Sequence, residues 1–245
     1  MTTPYGDTLI VMPALNEAES VGDVIAEVRQ KLPGIQVLVV DDGSTDATAA
    51  AAERAGAQVL RLPYNLGVGG AMRTGFKFAL SSGYRNVVQV DADGQHDPGD
   101  VPALLEALKT NDLVMGARFA GVGGYKARGP RRWAMVVLAK TLSGLARTTL
   151  TDTTSGFRAS GPRAVALFAE HYPAEYLGDT VESLVIAARS GCRIAQVPVA
   201  MRARTTGVPS TNPVKSAFYL GRAMLALLVS LMRPRLELST EAVPV

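Results

Sequence analysis

Cysteine, aromatic residues and long apolar runs are all scarce in this chain, and each scarcity excludes a class of protein. Cys192 is the only cysteine in 245 residues, which excludes a disulfide framework and a thiolate metal cluster. Aromatic residues make up 6% of the chain, and the basic stretches alternate with aliphatic rather than stacking side chains, which disfavours nucleic-acid binding. The N-terminus has no basic segment followed by an apolar stretch, so we expect no signal peptide.

The length and the apolar content favour one large domain with a complete core. Of the 245 residues, 47% are hydrophobic and 19% are charged. We expect a catalytic domain over residues 1–212, a C-terminal amphipathic helix over residues 213–232 and a disordered tail over residues 233–245. The uncharged run in that helix, residues 223–232, is too short for a membrane span, which needs about 20 apolar residues.

Acidic residues are missing from two long segments, although the formal net charge is only +3. Residues 113–151 contain seven basic residues and no acid, and residues 183–236 contain eight basic residues and no acid. Such a surface attracts an anionic partner, which could be phospholipid, nucleic acid or a phosphorylated acceptor.

The first half of the chain alternates between strand-length apolar runs and helical patterns. Predicted strands cover residues 8–12, 36–40, 58–62 and 86–90, and predicted helices cover residues 18–32, 47–55 and 67–82. Asn16 is the predicted cap of the first helix. The alternation predicts an α/β fold with a mostly parallel central sheet flanked by helices, which binds its ligands beyond the carboxyl ends of the strands.

Polar loops follow all four predicted strands, so we expect them to converge on one crevice. Asp41 and Asp42 follow the second strand, where they could accept from a base or a ribose or act only as cap and turn residues. Gly67, Gly69 and Gly70 open the third helix, whose N–H groups and dipole favour a phosphate. We expect Arg73, one turn further, to reach the same anion.

The most informative stretch is residues 87–98, in which an apolar strand runs out into Asp91 and Asp93. Carboxylate and amide oxygens at a rigid strand end suit Mg²⁺ or Mn²⁺. Mg²⁺ is usually held by one or two carboxylates together with substrate phosphates. The pattern therefore predicts a site where a divalent cation meets a diphosphate, although an acidic surface turn would look the same.

Taken together, these segments resemble family 2 glycosyltransferases of the GT-A fold, most closely the dolichol- or polyprenyl-phosphate mannose and glucose synthases. The matching segments are residues 13–17 (PALNE), 41–46 (DDGSTD), 65–70 (NLGVGG), 91–98 (DADGQHDP), 116–118 (GAR) and 152–158 (DTTSGFR). The resemblance implies that Asp91, Asp93 and Gln95 hold the metal. The implied nucleotide- and substrate-binding residues are Pro13, Leu15, Asn16, Glu17, Asp41, Asp42, Ser44, Gly70, Arg73, Asp91, Ala92 and Arg204.

The resemblance implies an inverting, metal-dependent transfer of a hexose from a nucleotide-diphosphate sugar to polyprenyl phosphate at the membrane surface. The residues expected to act in catalysis are Asp93, Arg118, Arg158, Glu182 and Asp179. Arg158 could bind a phosphate bidentately or pair with Asp152. Asp179 and Glu182 could instead serve as the base for a hydroxyl acceptor in a cell-envelope polysaccharide or glycolipid. A third reading is a non-catalytic nucleotide-sugar-binding subunit of a membrane complex.

Two basic amphipathic segments, residues 130–147 and 213–232, are candidate membrane-interface helices. The alternative is that they pack against each other or against a partner subunit. We expect peripheral attachment to the cytoplasmic face of the membrane. A small integral membrane protein and a homo-oligomer are further candidate partners.

Overall fold

The computed structural model describes residues 4–117, 130–173 and 179–202, and for residues 130–137 it describes the backbone alone. Seven strands form one sheet in the order β3-β2-β1-β4-β6-β5-β7. The strands are β1 Thr8–Ala14, β2 Gln36–Asp41, β3 Gln58–Arg61, β4 Asn86–Gln89, β5 Leu113–Ala117, β6 Arg158–Ser160 and β7 Ile194–Pro198. The helices are α1 Val21–Lys31, α2 Thr48–Arg54, α3 Gly67–Ser81, α4 Val101–Leu108, α5 Pro130–Ala146, α6 Pro162–His171 and α7 Asp179–Arg189.

The predicted α/β fold with a mostly parallel sheet is confirmed. Only β6 runs against its neighbours, pairing antiparallel with both β4 and β5. Strand β6 was not predicted, because its three residues, Arg-Ala-Ser, contain no apolar run. This strand carries Arg158 into the middle of the sheet, where it pairs in register with Gln89.

The sheet has a core on each face, because its central strands are buried on both sides. In β1, Leu9 and Val11 pack into one core with α3, α5, α6 and α7. Ile10 and Met12 pack into the other core with α1, α2 and α4. Gly75 allows α3 to approach the sheet closely, because a Cβ at this position would overlap the Val11 side chain.

The start of α1 differs from the prediction. The helix begins at Val21 after Ser20 rather than at residue 18, and the predicted Asn16 cap is wrong. Asn16 has a φ of 55°, and its side-chain oxygen accepts from the Thr45 N–H at 2.9 Å. Asn16 therefore joins two loops across the sheet edge, a contact that local helix-capping rules do not describe.

The predicted helix over residues 130–147 is present as α5. Leu138 and Leu142 are buried in the core that also contains α7, so these two side chains pack against the rest of the domain, and a membrane-interface role for the segment stays a prediction. The other candidate interface helix, residues 213–232, and the tail lie outside the described residues. Within those residues, no helix has the length and apolar character needed to cross a membrane.

Candidate active site

The loops after β1 and β2 are fastened to each other by hydrogen bonds from backbone N–H groups to side chains. The Asn16 N–H donates to Ser44 Oγ at 2.9 Å, and the Glu17 N–H donates to Thr48 Oγ1 at 2.8 Å. The Ala18 N–H donates to Asp46 Oδ2 at 3.2 Å. The predicted nucleotide-binding residues 13–17 and 41–46 thus form one rigid edge.

Asp41 and Asp42 are buried, and both carboxylates accept from backbone N–H groups. Asp41 Oδ1 accepts from the Ser44 N–H at 3.0 Å, and Asp42 Oδ1 accepts from the Leu66 N–H at 2.7 Å. Burial raises the pKa of Asp42, against the opposing effect of the Leu66 and Gly67 N–H groups. The cap-and-turn interpretation therefore describes the contacts of both residues, and Asp42 ties β2 to the glycine-rich turn.

The glycine-rich turn positions the first turn of α3 at the same edge. Asn65 Oδ1 accepts from the Gly67 N–H at 2.8 Å, and Gly67 has a φ of 82°. Arg73 does not reach toward this turn, because its guanidinium donates to the Glu170 carbonyl oxygen of α6 at 2.5 Å. This carbonyl acceptor on α6 was not revealed by the sequence, and the contact of Arg73 with a phosphate stays a prediction.

The loop after β4 holds Asp91 and Asp93 in a tight turn around Gly94, which has a φ of 75°. Asp93 Oδ1 accepts from the Gln95 N–H at 3.0 Å. Both carboxylates are half-buried, and the Asp91 side chain is 36% exposed. Ala92 between them is buried. This acidic pair is therefore more open to solvent than Asp41 and Asp42.

The donor set of this loop fits a hard divalent cation shared with a substrate. Within the described part of the chain, no group of three or more His, Cys, Asp or Glu residues is placed to hold a metal. The loop offers two carboxylates and the Gln95 amide. A cation bound to these three groups alone would need further oxygen ligands from outside the protein. A diphosphate supplies such oxygens in the usual Mg²⁺ arrangement.

Arg158 is buried and joins the 152–157 loop to the start of α7. Its Nε donates to the Ser155 carbonyl oxygen at 2.8 Å and one terminal nitrogen donates to Ser183 Oγ at 2.8 Å. The other terminal nitrogen donates to the Thr180 carbonyl oxygen at 2.9 Å. This arrangement does not support the predicted phosphate contact, because protein oxygens surround the guanidinium.

The two candidate bases lie on α7 beside this arginine. Burial raises the pKa of Asp179, the Arg158 guanidinium opposes this shift, and the charge of Asp91 adds to it. Asp179 is thus within electrostatic reach of the acidic pair. Glu182 is almost fully buried. Burial, with the charge of Asp179, also raises the pKa of Tyr172, a residue that no sequence motif singled out.

A surface ion-pair cluster joins α1, the end of the Asp91–Asp97 loop and the segment after β7. Arg202 donates to both Glu27 carboxylate oxygens at 2.8 Å and lies 2.7 Å from Asp97 Oδ2. Lys31 contacts Glu27 at 2.8 Å and Asp97 at 2.5 Å. No sequence motif indicated this cluster. Arg118 and Arg204, the predicted acceptor- and diphosphate-side arginines, lie outside the described residues.

Comparisons with known proteins place this arrangement in a family. The chain is 36% identical over 210 residues to an undecaprenyl-phosphate mannosyltransferase of Micrococcus luteus, a match that covers 81% of this chain and 85% of that one. It is 35% identical over 167 residues to a polyprenol monophosphomannose synthase of Mycolicibacterium smegmatis, covering 64% of this chain and 62% of that one.

A solved structure has the same fold. It is glucosyl-3-phosphoglycerate synthase from Mycobacterium tuberculosis in complex with Mn²⁺ and UDP-glucose, with a TM-score of 0.67 and 25% sequence identity. The match covers 93% of this chain and 79% of that one. The pattern described as Glycosyl transferase family 2 matches residues 9–166. The chain belongs to glycosyl transferase family 2.

Proposed function

We propose that the protein transfers a hexose, with inversion, from a nucleotide-diphosphate sugar to polyprenyl phosphate at the membrane surface. The observation that carries this proposal is the half-exposed Asp91 and Asp93 pair beside the fastened loops after β1, β2 and β3. The two relatives named as polyprenyl-phosphate mannosyl enzymes support the acceptor class. Their names also make mannose the first sugar to test.

In the proposed reaction, the loops at the sheet edge bind the donor and present its diphosphate to the acidic pair. Asp91, Asp93 and Gln95 would hold the cation, which supplies Lewis-acid stabilisation of the leaving diphosphate when bound. Mn²⁺ in the structural neighbour supports a divalent cation here. Because the loops are already fixed by hydrogen bonds such as Asn16 to Ser44, little ordering remains when the donor binds.

An acceptor phosphate is already ionised near neutral pH, so its attack on the sugar needs no strong base. Placement of the acceptor by cationic side chains then matters more. We assign this role to Arg118 and to the basic segment around it, rather than to Arg158. Arg204 remains our candidate for the diphosphate.

The decisive experiment is transfer of radiolabelled sugar from a panel of GDP-, UDP- and dTDP-sugars to a short-chain polyprenyl phosphate. Each donor is incubated with Mg²⁺, with Mn²⁺ and with EDTA. A lipid product that is metal-dependent and labile to mild acid is the expected result, and it names the donor. If none of the donors is turned over, the enzymatic proposal is contradicted and the binding-subunit alternative gains.

A second candidate is transfer to a hydroxyl acceptor, with Asp179 as the base. The raised pKa of Asp179, caused first by burial and also by the charge of Asp91, favours it, because a raised pKa makes the carboxylate a stronger base. Donor hydrolysis without lipid product in the same panel, abolished by Asp179→Asn, would support this candidate. Lipid product formed equally well by Asp179→Asn would contradict it.

We further propose that the protein acts as a peripheral membrane protein on the cytoplasmic face, attached through the basic segment at residues 213–232. Deletion of residues 214–245 should weaken binding to vesicles of phosphatidylglycerol and phosphatidylcholine while leaving donor binding intact. Unchanged vesicle binding would contradict this attachment. Co-purification from membranes would reveal a small integral partner or a homo-oligomer.

A further inference from the structure

The Asp91 carboxylate accepts a hydrogen bond from Gln89, a residue that no motif identified. Gln89, the last residue of β4, is buried, and its Nε2 donates to Asp91 Oδ1 at 3.1 Å. Asp91 lies two residues beyond the end of β4, and residues two apart in extended chain point to the same side, which places the two side chains next to each other. The Gln89 amide therefore fixes one carboxylate oxygen of a residue at the proposed cation site.

Gly156 closes the space around the same carboxylate. A Cβ at Gly156 would lie 3.2 Å from Asp91 Oδ2 and 3.1 Å from Gln89 Nε2. The backbone of the 152–157 loop therefore leaves the Asp91 side chain little room to rotate away from the Gln89 amide. This close packing gives the glycine a role beyond forming a turn.

His96 fixes Asp91 from the other side of the turn. Its Nδ1 accepts from the Asp91 N–H at 3.0 Å, so the ring proton belongs on Nε2. That nitrogen lies 3.6 Å from Asp91 Oδ2. This distance is too long for a hydrogen bond, but the N–H dipole is close enough to attract the carboxylate oxygen. The ring is buried and stacks on Phe157 with centroids 4.8 Å apart and planes at 15°, so its orientation is set by packing.

We propose that Gln89 and His96 are positioning residues that hold Asp91 in the geometry required for the divalent cation. The inference rests on the cation site of the proposed function. Groups that orient a metal ligand without touching the metal typically change metal affinity by about 10–100-fold when they are lost. Gln89 acts on the carboxylate directly, whereas His96 acts on the backbone and the turn.

The test is Mn²⁺ binding to the full chain, followed by the electron paramagnetic resonance signal of free Mn²⁺ with saturating UDP and, in parallel, GDP. Gln89→Leu removes the donor at similar volume, and His96→Leu removes both ring nitrogens. Each should weaken Mn²⁺ binding by about 10–100-fold. His96→Asn restores an acceptor near the Nδ1 position and should recover part of the affinity.

Two matched controls separate positioning from general damage to the fold. Gln36→Leu makes the same change at the exposed first residue of β2, at the opposite end of the sheet from Asp91. His171→Leu changes the chain's other histidine, which lies beside Glu170. Both should bind Mn²⁺ like the wild type, and thermal unfolding checks that every variant is folded.

The outcomes distinguish this inference from the proposed function. Folded Gln89→Leu and His96→Leu proteins that bind Mn²⁺ as tightly as the wild type, while Asp93→Ala does not, would overturn the positioning roles alone. A wild-type protein that binds no Mn²⁺ with either nucleotide would overturn the cation site itself. Partial recovery in His96→Asn supports the backbone contact, and no recovery in a folded variant contradicts it.

Discussion

Two acidic pairs follow strands β2 and β4, and they differ in how deeply they are buried. Asp41 and Asp42 are 5% and 3% exposed, and each accepts from a backbone N–H of a neighbouring turn. Asp91 and Asp93 are half-buried, in a loop whose donor set is incomplete without a substrate. Two neighbouring carboxylates can thus stabilise the loops in one place and remain available to a ligand in the other.

Burial indicates better than the sequence motif which of these carboxylates can bind a ligand. A buried carboxylate that already accepts from an N–H gains little from binding a ligand and leaves an unsatisfied donor if it moves. A half-exposed carboxylate has less to lose, because water solvates it until the ligand arrives. We therefore place the chemistry at β4 and the structural support at β2, and four predictions can break or sharpen this division.

The largest effect is expected for Asp93→Ala, which should lower metal-dependent sugar transfer by at least about 10²–10³-fold, the usual cost of removing one electrostatic stabiliser. Asp93→Asn keeps an acceptor for the Gln95 N–H, so it preserves the turn while removing the charge. Initial rates across a Mn²⁺ titration measure both variants. Undiminished transfer by folded Asp93→Ala would remove this residue from the metal site.

Asp42→Ala should instead reduce stability. The Leu66 N–H loses its acceptor, at a cost of about 1–2 kcal/mol in the free energy of unfolding. Urea denaturation measures this change, and Asp93→Asn serves as the comparison because it keeps an acceptor for the Gln95 N–H and should unfold at nearly the wild-type midpoint. Equal stability of the two variants would contradict the proposed division between the acidic pairs.

Asp97, at the end of the loop that follows β4, should behave as a stabilising ion-pair residue. Burial raises its pKa, but hydrogen bonds from Lys31, the Gly99 N–H and Arg202 outweigh that effect and bring the pKa to about 2. Because the pKa is below its unfolded value of 3.8, the stabilisation is present above that pH and is lost as pH falls through the lowered pKa. Asp97→Asn should cost about 1 kcal/mol at neutral pH.

Urea denaturation at several pH values checks this prediction, and the difference between Asp97→Asn and the wild type should shrink in acid. Arg61→Gln is a suitable control. Arg61 belongs to an exposed pair with Glu53, for which little effect is expected. A difference that stays constant with pH would show that the ion pairs of Asp97 are not its source.

The smallest effect is expected for Asp42→Asn, with the opposite dependence on pH. Burial raises the pKa of Asp42 above its unfolded value of 3.8, so its stabilisation is complete below 3.8 and is lost as pH rises through the folded pKa. The asparagine keeps an acceptor for Leu66 without the charge. Relative to the wild type, it should therefore gain stability as pH rises, and a loss would contradict the sign of the shift.

The alternating pattern predicted most of the first half of the fold. Strands β1 to β4 and helices α1 to α3 begin or end within a few residues of their predicted bounds, because apolar periodicity directly reflects burial on both faces of a parallel sheet. The short strand β6 escaped prediction because neighbouring strands, rather than its own residues, stabilise it. Helix α5 was predicted, but its apolar pattern did not show whether Leu138 and Leu142 face protein or lipid.

At the proposed site, the sequence alone indicated which chemistry to expect. The spacing of Asp91 and Asp93 after an apolar strand indicated a cation site, since residue type and strand position are both local properties. Only the tertiary structure decided which polar groups are available. Asp42 accepts from the Leu66 N–H, Arg73 donates to the Glu170 carbonyl oxygen, and Arg158 donates to oxygens of Ser155, Thr180 and Ser183. The partner of each comes from another segment of the chain, and no local rule specifies where that segment will lie.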